Sequence, residues 1–151
     1  MSLGLYLHLP FCSTHCTYCP FAISTDLRLQ SDYTDALIRE IREARSSQLP
    51  AGNGESRAAQ SGQAAVGDGA SSVRLPPDVA TLYFGGGTPS RLAIEHLSRI
   101  FDALRARFAI AEDAEITLEA NPEDVHAESI AAWRAMGVNR LSIGVQSFHD
   151  A

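Results

Sequence analysis

The sequence lacks the apolar runs that a membrane-spanning or secreted chain needs. None of its hydrophobic stretches approaches the roughly 20 residues of a transmembrane helix. Its first residues, MSLGLYLHLPFC, carry no basic segment followed by a long apolar core, so we expect no secretory signal peptide. These absences predict a cytoplasmic, reducing location, where clustered cysteines usually indicate a metal site or catalysis.

Positive charge is also scarce. The 151 residues include 12 Lys and Arg against 18 Asp and Glu, which gives a formal net charge of -6. A nucleic-acid-binding protein needs a basic face to neutralise phosphates, so we do not expect a nucleic-acid partner. The hydrophobic fraction of 45% is sufficient for a packed core.

Strand-like and helix-like segments alternate along the chain. Four segments rich in β-branched, aromatic and leucine residues are predicted strands: 4–9, 79–84, 115–120 and 140–145. Between them, apolar residues recur every three or four positions and predict three helices. These positions are Tyr33, Leu37, Ile41 and Ala44, then Leu97, Ile100, Phe101, Leu104 and Phe108, then Ile130, Trp133 and Met136, with Gly137 as the final stop. A β-α-β-α-β-α-β order predicts an α/β fold with a parallel sheet.

One segment interrupts this alternation. Residues 46–77 are rich in Ala, Gly, Ser and Gln and contain no aromatic residue and no isoleucine. They are predicted to form a low-complexity, disordered insertion, because they cannot bury enough apolar surface to offset the entropy of ordering them. A complete (β/α) barrel needs roughly 200 residues or more, so we expect residues 1–151 to be the N-terminal portion of a longer barrel protein.

All three cysteines, Cys12, Cys16 and Cys19, lie in one loop that directly follows the first predicted strand. Thiolates are soft ligands that select zinc, copper(I) or iron–sulfur clusters. An ordinary 4Fe–4S cluster takes four cysteine ligands, so three would leave one iron with a position open to a substrate or cofactor. Two alternatives stay open: a zinc site completed by His8 or His15, and three free cysteines in a loop.

Glycines and polar residues follow the other predicted strands. The run GGGTP, 85–89, follows the second strand, Glu119 lies near the end of the third, and Gln146 follows the fourth. Glycines permit close approach to the backbone, and a carboxylate can accept hydrogen bonds from ribose hydroxyls. Because α/β active sites assemble at the carboxyl ends of parallel strands, these residues predict one shared site. Tyr6 and His8 alternate with leucines in the first predicted strand, which places both on one face of it. Their side chains either line the shared site or are buried with their hydrogen bonds satisfied.

These motifs together resemble a known group of proteins. A C-x3-C-x2-C loop with an aromatic residue before the last cysteine is the signature of radical S-adenosylmethionine (SAM) enzymes. The segments LYLHLPFC, YFGGGTPS, EITLEANPE and GVNRLSIGVQSF are more specific. They resemble the oxygen-independent coproporphyrinogen III oxidase family and its close relative, the HemW-type haem chaperones. The resemblance extends from about residue 5 to residue 148, apart from 46–77.

The resemblance implies a partial (β/α)₆ barrel of the TIM type. It implies a 4Fe–4S cluster on Cys12, Cys16 and Cys19, with SAM chelating the open iron. The family's cofactor contacts correspond to Tyr6, Gly86, Gly87, Thr88 and Glu119, and a second SAM site in the oxidase would use Tyr18 and Gln146. The implied chemistry is reductive cleavage of SAM to a 5'-deoxyadenosyl radical, with a reductant such as flavodoxin or ferredoxin.

Departures from the oxidase pattern favour the chaperone branch. Phe21 stands where the oxidase carries a further cysteine, and the chain reaches Tyr6 without the N-terminal extension typical of the oxidase. A smaller departure is Ala93, where relatives tend to begin the second helix with serine; loss of that N-cap costs about 1 kcal/mol. The expected function is therefore a haem chaperone that binds haem and delivers it to acceptor proteins.

Two other functions stay open, and so does whether the protein is an enzyme. The alternative to the chaperone is a coproporphyrinogen III oxidase acting on a porphyrinogen, and a third hypothesis is a zinc-stabilised interaction module. No histidine in the sequence stands out as an axial haem ligand, so we expect that ligand beyond Ala151.

Overall fold

The structure, a computed structural model, describes residues 3–44 and 75–146. Four strands form one parallel sheet in the order β1-β2-β3-β4. The strands are β1 (Leu3–Leu9), β2 (Leu75–Gly86), β3 (Phe108–Ala120) and β4 (Arg140–Ile143). The helices are α1 (Gln30–Glu43), α2 (Ile94–Arg107) and α3 (Ala127–Ala135). The predicted alternation and parallel pairing are confirmed.

The two faces of the sheet differ sharply in polarity. In β1, Leu7 and Leu9 are buried, whereas Tyr6 is exposed on the other face, as the period of two along a strand requires. The apolar face packs on the three helices to form the core. The largest fully buried side chains of that core are Phe11, Leu9, Leu82, Phe84, Leu97, Ile100, Phe101, Leu104, Leu118 and Trp133. The opposite face carries the polar side chains of Tyr6, His8 and their strand neighbours.

Two strands are longer than the sequence pattern predicted. β2 begins at Leu75 rather than at residue 79, and β3 begins at Phe108 rather than at residue 115. Phe108, expected on the apolar face of α2, is instead the C-cap of that helix and the first residue of β3. The extra lengths pair with each other through register shifts, so neighbouring backbone overrides the weak strand propensity of these segments. β4 is shorter than predicted and ends at Ile143.

The helix ends follow the predicted stops closely. Ala44 caps α1 rather than lying within it, and α3 ends at Ala135. Met136 caps α3 and Gly137 follows with a φ of 97°, a left-handed conformation that glycine adopts without strain. This confirms Gly137 as the stop of the third helix.

The start of α2 has an unexpected partner. Ala93 provides no side-chain cap, as its residue type predicts. The buried Gln30 side chain of α1 instead holds the N-cap residue itself: its Oε1 accepts from the Ala93 N–H at 3.1 Å, and its Nε2 donates to the Arg91 carbonyl at 2.8 Å. This carboxamide fixes the chain where it enters α2, whereas a serine at position 93 would have accepted from an N–H in the first turn of the helix.

The segment 46–77, predicted as a disordered insertion, lies mostly outside the described residues. Its last three residues, 75–77, form the start of β2. In the described part of the chain, no helix has the length and hydropathy needed to cross a bilayer.

Candidate functional site

The cysteine loop leaves β1 and is closed at its base by backbone hydrogen bonds. Phe11 forms a parallel bridge with Ser24. The Cys12 N–H donates to the Ser24 carbonyl at 3.0 Å, and the Ser24 N–H donates to the Pro10 carbonyl at 2.7 Å. All three thiols are free, with Cys12 and Cys19 half-buried and Cys16 exposed. The loop therefore has a fixed base and an exposed tip that carries Cys16.

The glycine loop after β2 docks directly on this base. The Gly87 N–H donates to the Leu9 carbonyl at 2.9 Å, and the Thr88 N–H donates to the Phe11 carbonyl at 2.8 Å. The Thr88 hydroxyl lies 3.5 Å from the Cys12 sulfur and donates to it. A Cβ on Gly87 would lie 2.7 Å from the carbonyl carbon of Pro10, so only glycine permits this approach. These contacts hold the cysteine and glycine loops together.

Glu119 is held by two donors from β2. The Tyr83 hydroxyl donates to Oε1 of Glu119 at 2.7 Å, and the Gly86 N–H donates to Oε2 at 3.2 Å. Gly86 adopts a φ of 117°, and a Cβ there would lie 2.6 Å from the His8 ring. The carboxylate at the end of β3 is thus fixed in orientation by the strand beside it.

The tyrosines beside this carboxylate remain neutral donors at ordinary pH. The hydrogen bond to Glu119, with burial and the charge of that carboxylate, raises the pKa of Tyr83. Burial, followed by the Glu119 charge, raises the pKa of Tyr6. The two rings stack with centroids 6.0 Å apart. Tyr6 thus belongs to the same polar face as Glu119.

His8 has both ring nitrogens engaged. Its Nε2 donates to the Ala22 carbonyl at 2.9 Å, which leaves Nδ1 to accept from the Tyr6 hydroxyl at 3.2 Å. This satisfied pair ties β1 to the far side of the cysteine loop. It also weakens the zinc alternative in which His8 would complete the ligand set.

Several of the predicted site residues line one cavity of about 230 Å³ at the carboxyl ends of β2, β3 and β4. The predicted members are Gly87, Thr88, Glu119 and Gln146; the others are Ala120, Asn121, Ser142, Ile143 and Gly144. Gln146 is exposed and its Nε2 donates to the Gly144 carbonyl at 3.3 Å. The structure brings these four residues together around one cavity, and their role in a shared site stays a prediction.

Other predicted residues are not gathered in the same way. Tyr18 is 76% exposed, and the adjacent Cys16 raises the pKa of its phenol. Within residues 3–44 and 75–146, no group of three His, Cys, Asp or Glu side chains is arranged to hold a metal ion. The donor set itself, three free thiols in one loop with an exposed tip, suits an iron–sulfur cluster chemically.

Sequence reasoning missed four residues that shape the site: Tyr83, Ser13, Arg91 and Asp124. The period of two in β2 places Tyr83 on the face of Tyr6, so that signal was present in the sequence. Arg91 contacts Ser13 and Asp124, which are far from it in the chain. No local pattern could have joined those three side chains.

The fold and the loop arrangement define the class of protein. A parallel sheet with a cysteine loop after β1, a glycine loop after β2 and a fixed carboxylate at the end of β3 is a portion of a radical SAM fold. A solved structure similar to this chain is that of the coproporphyrinogen III oxidase HemN of Escherichia coli, described as a radical SAM enzyme. The match has a TM-score of 0.71 and 32% sequence identity, and covers 98% of this chain and 29% of that one.

The homologues include HemW haem chaperones and oxygen-independent coproporphyrinogen III oxidases. The chain is 40% identical over 150 residues to an anaerobilin synthase of Escherichia coli O157:H7, covering 97% of this chain and 28% of the relative. It is 37% identical over 147 residues to the haem chaperone HemW of Mycobacterium tuberculosis, covering 95% and 31% respectively. The chain thus spans less than a third of the length of these relatives. No protein-family model matches it.

Proposed function

We propose that the chain forms the cluster- and SAM-binding portion of a radical SAM protein of haem metabolism. The observation that carries this proposal is the docking of the two loops. Gly87 and Thr88 hold the base of the cysteine loop, and the Thr88 hydroxyl contacts the Cys12 sulfur. The same threonine lines the cavity that contains Glu119. A cluster on the cysteines would therefore lie beside a cavity suited to a polar cofactor.

The metal role falls to Cys12, Cys16 and Cys19. Three thiolates would leave one iron of a 4Fe–4S cluster open to the cofactor. When bound, the cluster supplies the electron for reductive cleavage of SAM. The chain's own contribution is to hold the loop base and to place Thr88 against Cys12.

The SAM role falls to the glycine loop and Glu119. The carboxylate, oriented by Tyr83 and the Gly86 amide, can accept hydrogen bonds from ribose hydroxyls. Gly87 and Thr88 border the same cavity and suit the methionine end, and Tyr6 adds a neutral phenol on the same face. In an oxidase, Tyr18 and Gln146 would serve a second SAM site.

Removing the carboxylate is expected to weaken SAM binding strongly. In the cluster-loaded full-length protein, Glu119→Ala should raise the Kd for SAM by about 10- to 100-fold, because a hydrogen bond to a charged group contributes about 1.5–3 kcal/mol. Tyr83→Phe should raise it by about 5-fold, because the carboxylate loses one orienting donor. Isothermal titration calorimetry measures both values, and iron content should stay at the wild-type level.

Glu115→Ala is the matched control for this experiment. Glu115 lies on the same strand, and its side chain is 53% exposed in an ion pair with Arg140. Its removal should leave the SAM affinity unchanged. Equal affinities for wild type, Glu119→Ala and Tyr83→Phe would show that the carboxylate has no part in binding the cofactor.

For the whole protein, we favour a haem chaperone that acts in the cytoplasm, binding haem and transferring it to acceptor proteins. Several homologues named haem chaperone HemW support this choice, as does Phe21 in place of a further cysteine. Phe21 is 59% exposed, so the position is accessible in the loop that carries the cluster ligands. The second candidate, supported by homologues of that name, is an oxygen-independent coproporphyrinogen III oxidase with flavodoxin or ferredoxin as reductant.

The chaperone proposal predicts binding of haem without its chemical conversion. Full-length protein incubated anaerobically with SAM, reductant and coproporphyrinogen III should form no protoporphyrinogen IX, whereas haem should bind at one equivalent by absorbance titration. Catalytic formation of protoporphyrinogen IX would restore the oxidase. SAM-dependent consumption of the bound haem would instead show an enzyme that acts on haem. Liquid chromatography separates protoporphyrinogen IX from any product of haem conversion.

A further inference from the structure

Arg91 links two strand ends that the glycine loop alone does not join. It lies at the end of a 3₁₀ turn, Pro89–Arg91, directly after the glycine loop. Its Nε donates to the Ser13 hydroxyl at 2.7 Å, with a second donation from its Nη2. Its Nη1 donates to Oδ1 of Asp124 at 2.7 Å. One guanidinium therefore bridges the cysteine loop after β1 and the turn after β3.

Asp124 is itself fixed in place. It ends the 3₁₀ turn Pro122–Asp124, and its Oδ2 accepts from the Ser90 hydroxyl at 2.6 Å. The Ser90 oxygen in turn accepts from the Asn121 N–H at 3.2 Å. The Asp124 side chain is only 10% exposed and that of Arg91 33%, so this ion pair is shielded from solvent far more than a typical surface pair.

The backbone of Arg91 is held as firmly as its side chain. The Gln30 carboxamide donates to the Arg91 carbonyl at 2.8 Å, and the Arg91 N–H donates to the Thr88 carbonyl at 2.9 Å. A guanidinium anchored in this way presents its fork to Ser13 in a defined direction. Ser13 directly follows Cys12 in the chain, and the sulfur of Cys12 accepts the hydrogen bond from Thr88.

The contacts at the loop tip are of a different kind. The Cys19 N–H donates to the Cys16 carbonyl at 3.1 Å, which is a turn internal to the loop. Cys16 is exposed. Cys12 and Ser13 are thus held by the side chains of Thr88 and Arg91, both from the turn after β2, whereas the turn between Cys16 and Cys19 is local.

We propose that Arg91 is a positioning residue. By joining Ser13 to Asp124 it fixes the neighbouring Cys12 in place before the cluster binds. Cys16 and Cys19, which are joined to each other by a turn within the loop, adjust to the bound cluster. Arg91 thereby couples the position of the first cysteine to the edge of the sheet that carries Glu119. This inference rests on the proposed cluster role of the cysteine loop.

Thiol reactivity in the full-length apoprotein tests the proposal. Iodoacetamide labelling, followed by mass spectrometry of each cysteine, should show Cys12 alkylated about 10-fold faster in Arg91→Gln, because the loop base opens more often. The rate at Cys16, already exposed, should change by less than about 2-fold. Arg91→Lys should give an intermediate Cys12 rate, because it keeps the charge beside Asp124 but loses the fork.

Loss of the cluster gives a second readout. In reconstituted protein, the rate of iron removal by a chelator should rise in Arg91→Gln and in Asp124→Asn, with SAM affinity measured alongside. If Arg91→Gln does not fold, Ser13→Ala removes only the hydroxyl at an exposed position and should reproduce the faster Cys12 labelling.

Arg99→Gln is the matched control. It breaks an ion pair with Asp35 between α1 and α2, in which both side chains are 47% exposed. Its Cys12 rate should equal that of wild type. Unchanged Cys12 labelling in Arg91→Gln and Ser13→Ala, or an equal rise in Arg99→Gln, would overturn the inference. Failure of the wild-type protein to take up iron and sulfide would reject the proposed function instead, while the labelling experiment would still decide the role of Arg91.

Discussion

Cys16→Ala is expected to abolish the iron–sulfur cluster of the full-length protein. Anaerobic reconstitution of wild type with iron and sulfide should give one 4Fe–4S cluster per chain and a brown chromophore. The variant should show neither, because the loop would keep only two thiolate ligands for a centre that ordinarily takes four. Iron and sulfide analysis together with the visible spectrum measure the loss.

The exposure of Cys16 makes this result interpretable. Its side chain contributes little to packing, so Cys16→Ala should unfold at the wild-type temperature when both proteins are compared without metal. Thr17→Ala, at an exposed position in the same loop, serves as the control and should retain the cluster. Retention of one zinc per chain, with no iron uptake by wild type, would reject the cluster and favour a zinc-stabilised module.

Much of the fold could be predicted because its determinants are local. The period of two in β1 separates Leu7 and Leu9 from Tyr6 and His8, and the structure keeps that separation. The early parts of β2 and β3 were missed because their residue types do not favour strands. Two prolines near the start of β2 cannot donate to a ladder, and Glu112 and Asp113 are poor strand formers. The early parts of β2 and β3 form strands because they pair with each other, and a local sequence pattern carries no information about that pairing.

The same division applies to the site. The cysteine and glycine loops are recognisable in the sequence because single residue types reveal them: cysteine supplies a thiol, and glycine permits close approach to the backbone. The bridge made by Arg91 joins residues 78 and 33 positions away in the chain, so only the folded arrangement reveals it. Gln30 is a similar case, since it supplies the hydrogen bond to the start of α2 from 63 positions away.

Gly87→Ala is expected to separate the glycine loop from the cysteine loop. The added Cβ would lie 2.7 Å from the carbonyl carbon of Pro10 and 2.9 Å from the carbonyl oxygen of Phe11. These are backbone atoms and cannot rotate away as a flexible side chain can. Overpacking of this kind costs about 1–3 kcal/mol, and each main-chain hydrogen bond lost at the joint adds about 1 kcal/mol.

The expected total of about 3 kcal/mol would lower the population of the docked arrangement roughly a hundredfold. Because Thr88 would move away from Cys12, the variant should lose most of its cluster and most of its SAM binding together. Iron content per chain and calorimetric titration with SAM measure the two losses. By contrast, Glu119→Ala should affect SAM alone.

Gly137→Ala separates loop displacement from general destabilisation. Gly137 also needs a left-handed backbone, with a φ of 97°, but it ends α3 and its nearest side-chain neighbours are Arg105 and Ile116. Alanine there should cost about 1 kcal/mol and lower the unfolding temperature while leaving the cluster and SAM affinity intact. If Gly87→Ala bound both at wild-type levels, the joint between the loops would not be what holds the site together. If Gly137→Ala lost the cluster and SAM binding to the same extent, the losses in Gly87→Ala would reflect reduced stability alone. Any weakening of the fold would then be enough to lose both ligands.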